Sequence, residues 1–183
     1  NPTLLYSRRF NKGSLYNIGF LESQRFGQWH CFIFHDVDLL PLDERILYSC
    51  PRTPTHMSPS VESFGYKKLF GGVTALTPAQ FEAANGYSNE YWGWGAEDDD
   101  MFKRLQARRY PMIRYNQSIG RYAVLPHKPS TPNLYRHYLL SYAKSRFRKE
   151  GLSTIEYSLV NATKKKLFTH ILADVNPYNV TSY

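Results

Sequence analysis

The run Cys31-Phe32-Ile33-Phe34 constrains the fold more than any other stretch of this chain. It is short and wholly apolar, and it stops in His35-Asp36-Val37-Asp38. An apolar run of this length, without alternation, reads as a strand buried on both faces, and such strands lie in sheets covered by helices. Val73 to Leu76 reads as another strand. Thr77 then supplies a cap and Pro78 the first position of a short helix ending at Asn85-Gly86. Leu15, Ile18, Phe20 and Leu21 fall at roughly helical spacing until Gly27-Gln28 breaks it. A helix from Glu97 to Arg108 puts Phe102 and Leu105 on its inner face. Residues 133–151 read as one surface helix closed by Gly151. Segments 111–116 and 120–127 read as strands, residues 153–175 as two late strands joined by a polar turn, and residues 43–65, with Pro51, Pro54 and Pro59, as loop. Strands and helices alternate, so the class is α/β. There is no internal repeat or linker, which makes residues 1–183 a single domain.

The 183 residues are 42% hydrophobic and 21% charged, which excludes a disordered tail. No apolar run approaches the twenty or so residues of a membrane span, and the opening Asn1-Pro2-Thr3 reads as the middle of a longer protein rather than a signal peptide. A net charge of +8 is compatible with a polyanion partner. Yet the basic residues are scattered and no recognition helix or zinc-finger spacing appears, so nucleic acid is not expected as a partner. Lys164 to Lys166 read as a solvated turn, with a basic surface facing a nucleotide diphosphate as a second reading. Cys31 and Cys50 are too few for a zinc cage and too far apart for redox chemistry of the CxxC kind. By themselves they leave free thiols and a bridge both open. Three sequons, at Asn116, Asn161 and Asn179, lean toward the secretory pathway, where a disulfide is allowed.

Two acidic motifs carry chemistry. Asp36 and Asp38 stand where the apolar strand ends. Residues i and i+2 of a strand face the same way, so both carboxylates can aim at one spot beyond a strand's carboxyl end, where open α/β sheets bind ligands. A divalent ion on Asp38 could there bridge to a nucleotide diphosphate. The second motif is Tyr91-Trp92-Gly93-Trp94-Gly95-Ala96-Glu97-Asp98-Asp99-Asp100. Acids in the first turn of a helix offset its macrodipole, which accounts for one or two carboxylates but not for four in succession, nor for the Trp-Gly repeat. Glycine admits a ligand close to the backbone, and an indole offers a flat face to a sugar ring. His127, after the strand 120–126, is by itself more simply a structural histidine.

Taken together, residues 10–20, 31–41, 69–77, 85–102, 120–127 and 151–160 resemble, in order and spacing, the β-1,4-galactosyltransferase family, with similarity from about Phe10 to Asp174. The resemblance implies an inverting transferase of GT-A type that uses a UDP-sugar and manganese, a type II Golgi membrane protein with a lumenal catalytic domain. Its anchor, an upstream donor segment and the first strand of the nucleotide-binding sheet would lie outside this chain. Phe10, Asn11 and Lys12 would contact the donor nucleotide, Lys12 standing where the family usually has Arg. Asp36, Val37 and Asp38 match the D-V-D motif, with Asp38 and His127 as metal ligands. Gly71 and Gly72 would lie beside the donor sugar, and Trp94 would touch donor and acceptor. Tyr66, Ala96, Glu97, Asp99 and Arg136 would hold a GlcNAc-terminated acceptor. Asp98 would be the base that deprotonates its 4-hydroxyl as the oxygen attacks the anomeric carbon. Cys31 and Cys50 match a family disulfide, and a modifier subunit is a possible partner.

Three departures from the family pattern shape the expectation. Leu69 replaces a tyrosine that crowds the donor's 2-position, which leaves room for an N-acetyl group as in the invertebrate GalNAc-transferring members. UDP-GalNAc is therefore the expected donor, with UDP-Gal as the alternative and a non-catalytic sugar-binding relative as the alternative from another class. Val124 occupies the usual third-ligand position, where the family has Met or His, and offers no donor atom. The segments after His56 and after His127 are a few residues short, and His137 stands where an aromatic residue usually lines the acceptor pocket.

Overall fold

The computed structural model describes residues 10–61 and 70–175. Helix α1 (Lys12–Ser23) is capped by Asn11, whose side-chain oxygen accepts from the Ser14 N–H at 2.9 Å. Strand β1 (Phe32–His35) follows, then β2 (Leu39–Pro41), β3 (Thr55–His56), β4 (Ser60–Val61) and β5 (Val73–Leu76). Helix α2 (Pro78–Ala83) opens with the expected Thr77 cap, reinforced by Gln80 reaching back to the Thr77 N–H. Its end is turned by Asn85 and Gly86, both at positive φ (57° and 60°). Helix α3 (Glu97–Ala107), β6 (Ile113–Arg114), β7 (Arg121–Val124), α4 (Arg136–Ser141), α5 (Ala143–Arg146) and the hairpin β8 (Ser158–Lys164) and β9 (Thr169–Asp174) complete the order.

Four strands form a mixed sheet in the order β1-β5-β3-β6, with only the β3–β6 pair parallel. A second sheet runs β2-β7-β4, joining Leu39 opposite Val124 and Val61 opposite Tyr122. The strand buried on both faces is β5, not β1: all four β5 residues are buried, whereas β1 lies at the edge of the sheet among the described residues and buries only Phe34. Val73 and Ala75 face a cluster with Leu39, Ile46, Met57, Val61 and Tyr122. Leu76 joins Phe20, Phe34, Phe70, Phe81, Tyr87, Met101 and Leu105 on the other side. At about 25 cal/mol per Å² these two apolar clusters are the main source of the fold's stability.

Two further expectations are corrected. The helix over 133–151 is two short helices that meet at Tyr142, and Gly151 instead turns the chain at φ 136°. The Asp36–Asp38 segment is not strand. Leu39 N–H bonds back to Asp36 O at 3.2 Å, closing a turn that leaves Val37 94% exposed and sends the two carboxylates to different partners. Cys31 and Cys50 are bridged, with Cα atoms 5.2 Å apart, tying the start of β1 to the long loop before β3.

Candidate active site

The acidic block is divided by the start of α3. Ala96 takes a left-handed φ of 72° at the cap position, after Gly93 at 89° and Gly95 at 110°. Glycine tolerates such angles at little cost. Glu97, Asp98, Asp99 and Asp100 then occupy the first turn and point to different surroundings. Asp100 is wholly buried, accepting from Tyr91 OH (3.0 Å), Arg104 Nε (2.5 Å) and Arg146 Nη2 (2.7 Å). It serves the packing of α3 against α5, more than a simple helix start would need. Arg104 continues the network to the Glu150 carboxylate.

Asp98 turns the other way, toward Gly71 and the start of α1. The Lys12 ammonium lies 2.9 Å from Asp98 Oδ2, 2.8 Å from Glu97 Oε1 and 3.2 Å from Asp36 Oδ1. Tyr16, one turn along α1, gives its hydroxyl to the same Asp36 oxygen at 3.1 Å. Burial pushes the Asp98 carboxyl up to about 7; Lys12 pulls it down, and Glu97 and Asp36 push it up again. Burial would lower the Lys12 ammonium, but Asp98, Glu97 and Asp36 more than offset this and hold it above its ordinary value. Asp99 is raised by burial and then by Glu97. The result is a carboxylate poised between proton-free and protonated near neutral pH, which is what a general base requires.

Gly71 is part of this geometry. A β-carbon there would collide with the Asp98 carboxylate, lying 2.9 Å from its Cγ, and at Gly72 one would meet Ser58 Oγ at 2.5 Å. Gly72 also holds φ 89° and bonds through its carbonyl to Asp36 N–H at 2.8 Å, bringing the two glycines, Asp36 and Asp98 together. Trp94 is 54% exposed, with the Arg136 guanidinium over its ring at 5.7 Å. Trp94 N–H and O bond to Thr131 O (3.0 Å) and Asn133 N–H (2.9 Å), which fixes the indole beside the start of α4. Phe10 is exposed and its carbonyl accepts from Gly93 N–H at 2.8 Å. Asn11 is placed differently from the expectation. It is 3% exposed and its amide is used inside the protein, as the α1 cap and as donor to Asn89 O at 2.8 Å, leaving no side-chain group for a nucleotide. Tyr66, Leu69 and Asn179 lie outside the described residues; Asn116 and Asn161 are exposed.

Asp38 Oδ2 stands 3.1 Å from His127 Nδ1, a nitrogen that also faces Leu125 O at 3.1 Å. The pair is assembled by β2 and β7, since Leu125 N–H bonds to Asp38 O at 2.7 Å just beyond the Leu39–Val124 pair. Among the described residues no three His, Cys, Asp or Glu groups are arranged to hold a metal ion. No described helix is long and apolar enough to cross a membrane.

Comparison with known proteins agrees with this geometry. Residues 5–51 match the model of the N-terminal region of glycosyl transferase group 7, and residues 54–128 that of the N-terminal domain of galactosyltransferase. The chain is 40% identical over 175 residues to β-1,4-galactosyltransferase 4 of Cricetulus griseus, covering 92% of this chain and 51% of that one. It is 39% identical over 173 residues to β-1,4-galactosyltransferase 1 of Mus musculus, covering 91% and 43%. The chain belongs to the β-1,4-galactosyltransferase family. It spans about half the length of the curated relatives it matches. The catalytic domain of Drosophila β1,4-galactosyltransferase 7 in complex with xylobiose superposes with a TM-score of 0.72 at 27% identity, over 91% of this chain and 75% of that one. A mutant of the same enzyme, complexed with manganese, UDP-Gal and xylobiose, matches with the same TM-score at 26% identity. The mixed sheets flanked by helices are thus the GT-A-type fold of this galactosyltransferase family.

The residues of this family member fit a divalent ion only in part. A carboxylate and an imidazole suit manganese, and Asp38 and His127 are already side by side. Val124 supplies nothing, so phosphate oxygens and water would have to complete the shell. Lys12 was expected to contact the donor nucleotide, but its ammonium is directed onto Asp36, Glu97 and Asp98; that pairing, the part played by Tyr16 and the Asp100 network were not legible in the sequence. The only signal was that Lys12 precedes Tyr16 by one helical turn, which puts both on one face of α1.

Proposed function

We propose that this chain forms most of the catalytic core of an inverting glycosyltransferase that moves a sugar from a UDP donor to the 4-hydroxyl of a terminal β-GlcNAc. The observation that carries the reading is the placement of Asp98: a largely enclosed carboxylate with a raised pKa, against a glycine backbone and a lysine, four residues after an exposed tryptophan. In this reading the acceptor sugar lies on Trp94, held by Arg136, Glu97 and Asp99. Asp98 takes the proton from its hydroxyl as the oxygen attacks the anomeric carbon from the face opposite the leaving UDP. The small exposed surface of Asp98 limits its contact with water, and Lys12 keeps enough of the carboxylate ionised to accept the proton. Asp38 and His127 would hold the divalent ion, whose charge favours departure of the diphosphate. Membership of a family whose relatives are β-1,4-galactosyltransferases supports the transfer and the linkage.

For the donor we favour UDP-GalNAc, because by residue type an aliphatic Leu69, in place of the family's tyrosine, would leave room for the N-acetyl group. The competing reading is UDP-Gal, favoured by the UDP-Gal in the complex of the Drosophila neighbour. A donor panel decides: UDP-Gal, UDP-GalNAc and UDP-GlcNAc with a GlcNAc-terminated acceptor, with and without manganese, on the full-length protein. A preference for UDP-GalNAc that Leu69→Tyr shifts toward UDP-Gal supports the assignment. An unchanged ratio in that variant rejects it. The exposed sequons at Asn116 and Asn161 and the Cys31–Cys50 bridge support the lumen of the Golgi as the compartment.

Loss of transfer in Asp98→Asn with acceptor binding retained separates an enzyme from a sugar-binding relative. Binding without transfer in the wild-type protein would favour the latter.

A further inference from the structure

His56 is a buried imidazole that the reaction outlined above does not use. It is 1% exposed, and its ring packs against Phe70 with centroids 5.9 Å apart. Its Nε2 lies 2.9 Å from the carbonyl oxygen of Gly71. A carbonyl oxygen can only accept, so Nε2 must carry the hydrogen. The same oxygen accepts from Ser58 Oγ at 3.1 Å, and Ser58 Oγ accepts from Val73 N–H at 2.8 Å. Met57 N–H adds a bond to Val73 O at 2.8 Å. Residues 56–58 therefore grip the backbone on both sides of Gly72, whose Cα is itself packed against Ser58.

Packing alone does not ask for a histidine here. His56 Nδ1 is buried with no partner among the described residues, so this site retains an unsatisfied nitrogen that an apolar ring would lack. What the imidazole supplies is a donor aimed at one peptide carbonyl. That peptide belongs to the residue whose Cα abuts the Asp98 carboxylate closely enough to exclude any side chain. Burial also lowers the His56 pKa to about 4, although its bond to Gly71 raises it and Arg114 lowers it further. The ring is consequently neutral wherever Asp98 is ionised, and its donor does not switch with pH in that range.

We propose that His56 and Ser58 are positioning residues for the reaction: by fixing the Gly71 carbonyl they set the backbone wall against which the Asp98 carboxylate is seated. This rests on the reading of Asp98 as the base. Neither residue touches substrate in the proposal; each acts through the Gly71 peptide. A base displaced by a fraction of its hydrogen-bond reach loses rate while substrate binding elsewhere in the site is little affected.

The test uses the full-length enzyme with the UDP-sugar selected by the donor panel. His56→Phe keeps a ring and removes the donor. His56→Gln keeps an N–H near the Nε2 position. Ser58→Ala removes the second bond. The expected result is a kcat lower by about tenfold or more in His56→Phe, with donor and acceptor KM within about twofold of wild type, and substantial recovery in His56→Gln. Ser58→Ala should show a smaller loss of the same kind. The proposal is overturned by a normal kcat in folded His56→Phe, by a loss confined to KM, or by Gln performing no better than Phe. Should His56→Phe show no cooperative melting transition, Ser58→Ala decides, and an unchanged kcat there overturns the proposal. Asp98→Asn is measured in parallel. If it retains activity, the base assignment itself fails; if it is inactive while both His56→Phe and Ser58→Ala are normal, only the positioning role fails.

Discussion

Lys12 Nζ lies 2.9 Å from Asp98 Oδ2, so the ammonium at the start of α1 neutralises the carboxylate proposed as the base at the start of α3. The two residues are 86 positions apart in the chain. Their contact makes a sequence difference at residue 12 a difference in the chemistry of residue 98.

The first prediction concerns the pH profile. Asp98 must be ionised to accept a proton, and burial holds its pKa at about 7, so kcat/KM should rise with pH through that region. Lys12 is the chief influence lowering that pKa. Lys12→Met should therefore move the acid limb upward, by about one unit or more, and cut activity at pH 7 by about tenfold. Lys12→Arg, which keeps the charge, should leave the limb near its wild-type position. A limb that stays put in Lys12→Met would refute the coupling.

The same shift predicts an effect on stability. A carboxyl whose folded pKa lies above its unfolded value of roughly 3.9 binds more protons in the folded state between those two pH values. Stability contributed by Asp98 is therefore full below about pH 4 and is lost as pH rises through about 7. Asp98→Asn, fixed in a neutral form, should melt at higher temperature than wild type at pH 8 and show no such gain at pH 4. Equal melting differences at both pH values would count against a raised Asp98.

The Asp100 network should behave oppositely. Asp100 and Arg104 have no exposed side-chain surface, and Arg146 and Tyr91 complete the shell around the Asp100 carboxylate. Removing one partner strands the other charge in the interior, so Arg104→Met should cost about 3–5 kcal/mol of folding stability. Urea denaturation monitored by tryptophan fluorescence measures it, and a loss below about 1 kcal/mol would mean the network relaxes or hydrates.

Metal use gives the last prediction. In the proposed site Val124 contributes no donor, and Asp38 and His127 would be the protein ligands. Activity should need a high manganese concentration, and Val124→Met should lower the half-saturating concentration by about tenfold, in the range by which single groups around a site change affinity. A manganese titration of both proteins checks this. Tight, unaltered dependence in the two would remove Val124 from the account.

Much of the fold could be read locally. The Thr77-Pro78 cap, the turn at Asn85-Gly86 and the limits of α3 depend on residues adjacent in sequence, and each lies where its local chemistry puts it. Burial was less accessible. The apolar run at β1 and that at β5 look alike, but among the described residues β5 gains strands on both sides and β1 on one, a matter of pairing that no window of sequence contains. The break of residues 133–151 at Tyr142 likewise follows from packing: α5 must turn to bring Arg146 onto Asp100 and over the Tyr91 ring at 5.6 Å.

The candidate site divides along the same line. Sequence alone determined the acidic block, the Trp-Gly repeat and the paired glycines, because their unusual composition has few other physical uses. It also determined which family the chain resembles. Tertiary structure decided which acid does what. Asp98, Asp99 and Asp100 are neighbours in the chain, yet successive helical residues are turned by about 100°, so each meets a different part of the fold. Asp100 meets the buried Arg104 and the half-buried Arg146, and Asp98 meets Lys12 and the Gly71 backbone held by His56 and Ser58. Those partners come from distant segments, and only their convergence in space separates a structural anchor from a poised base.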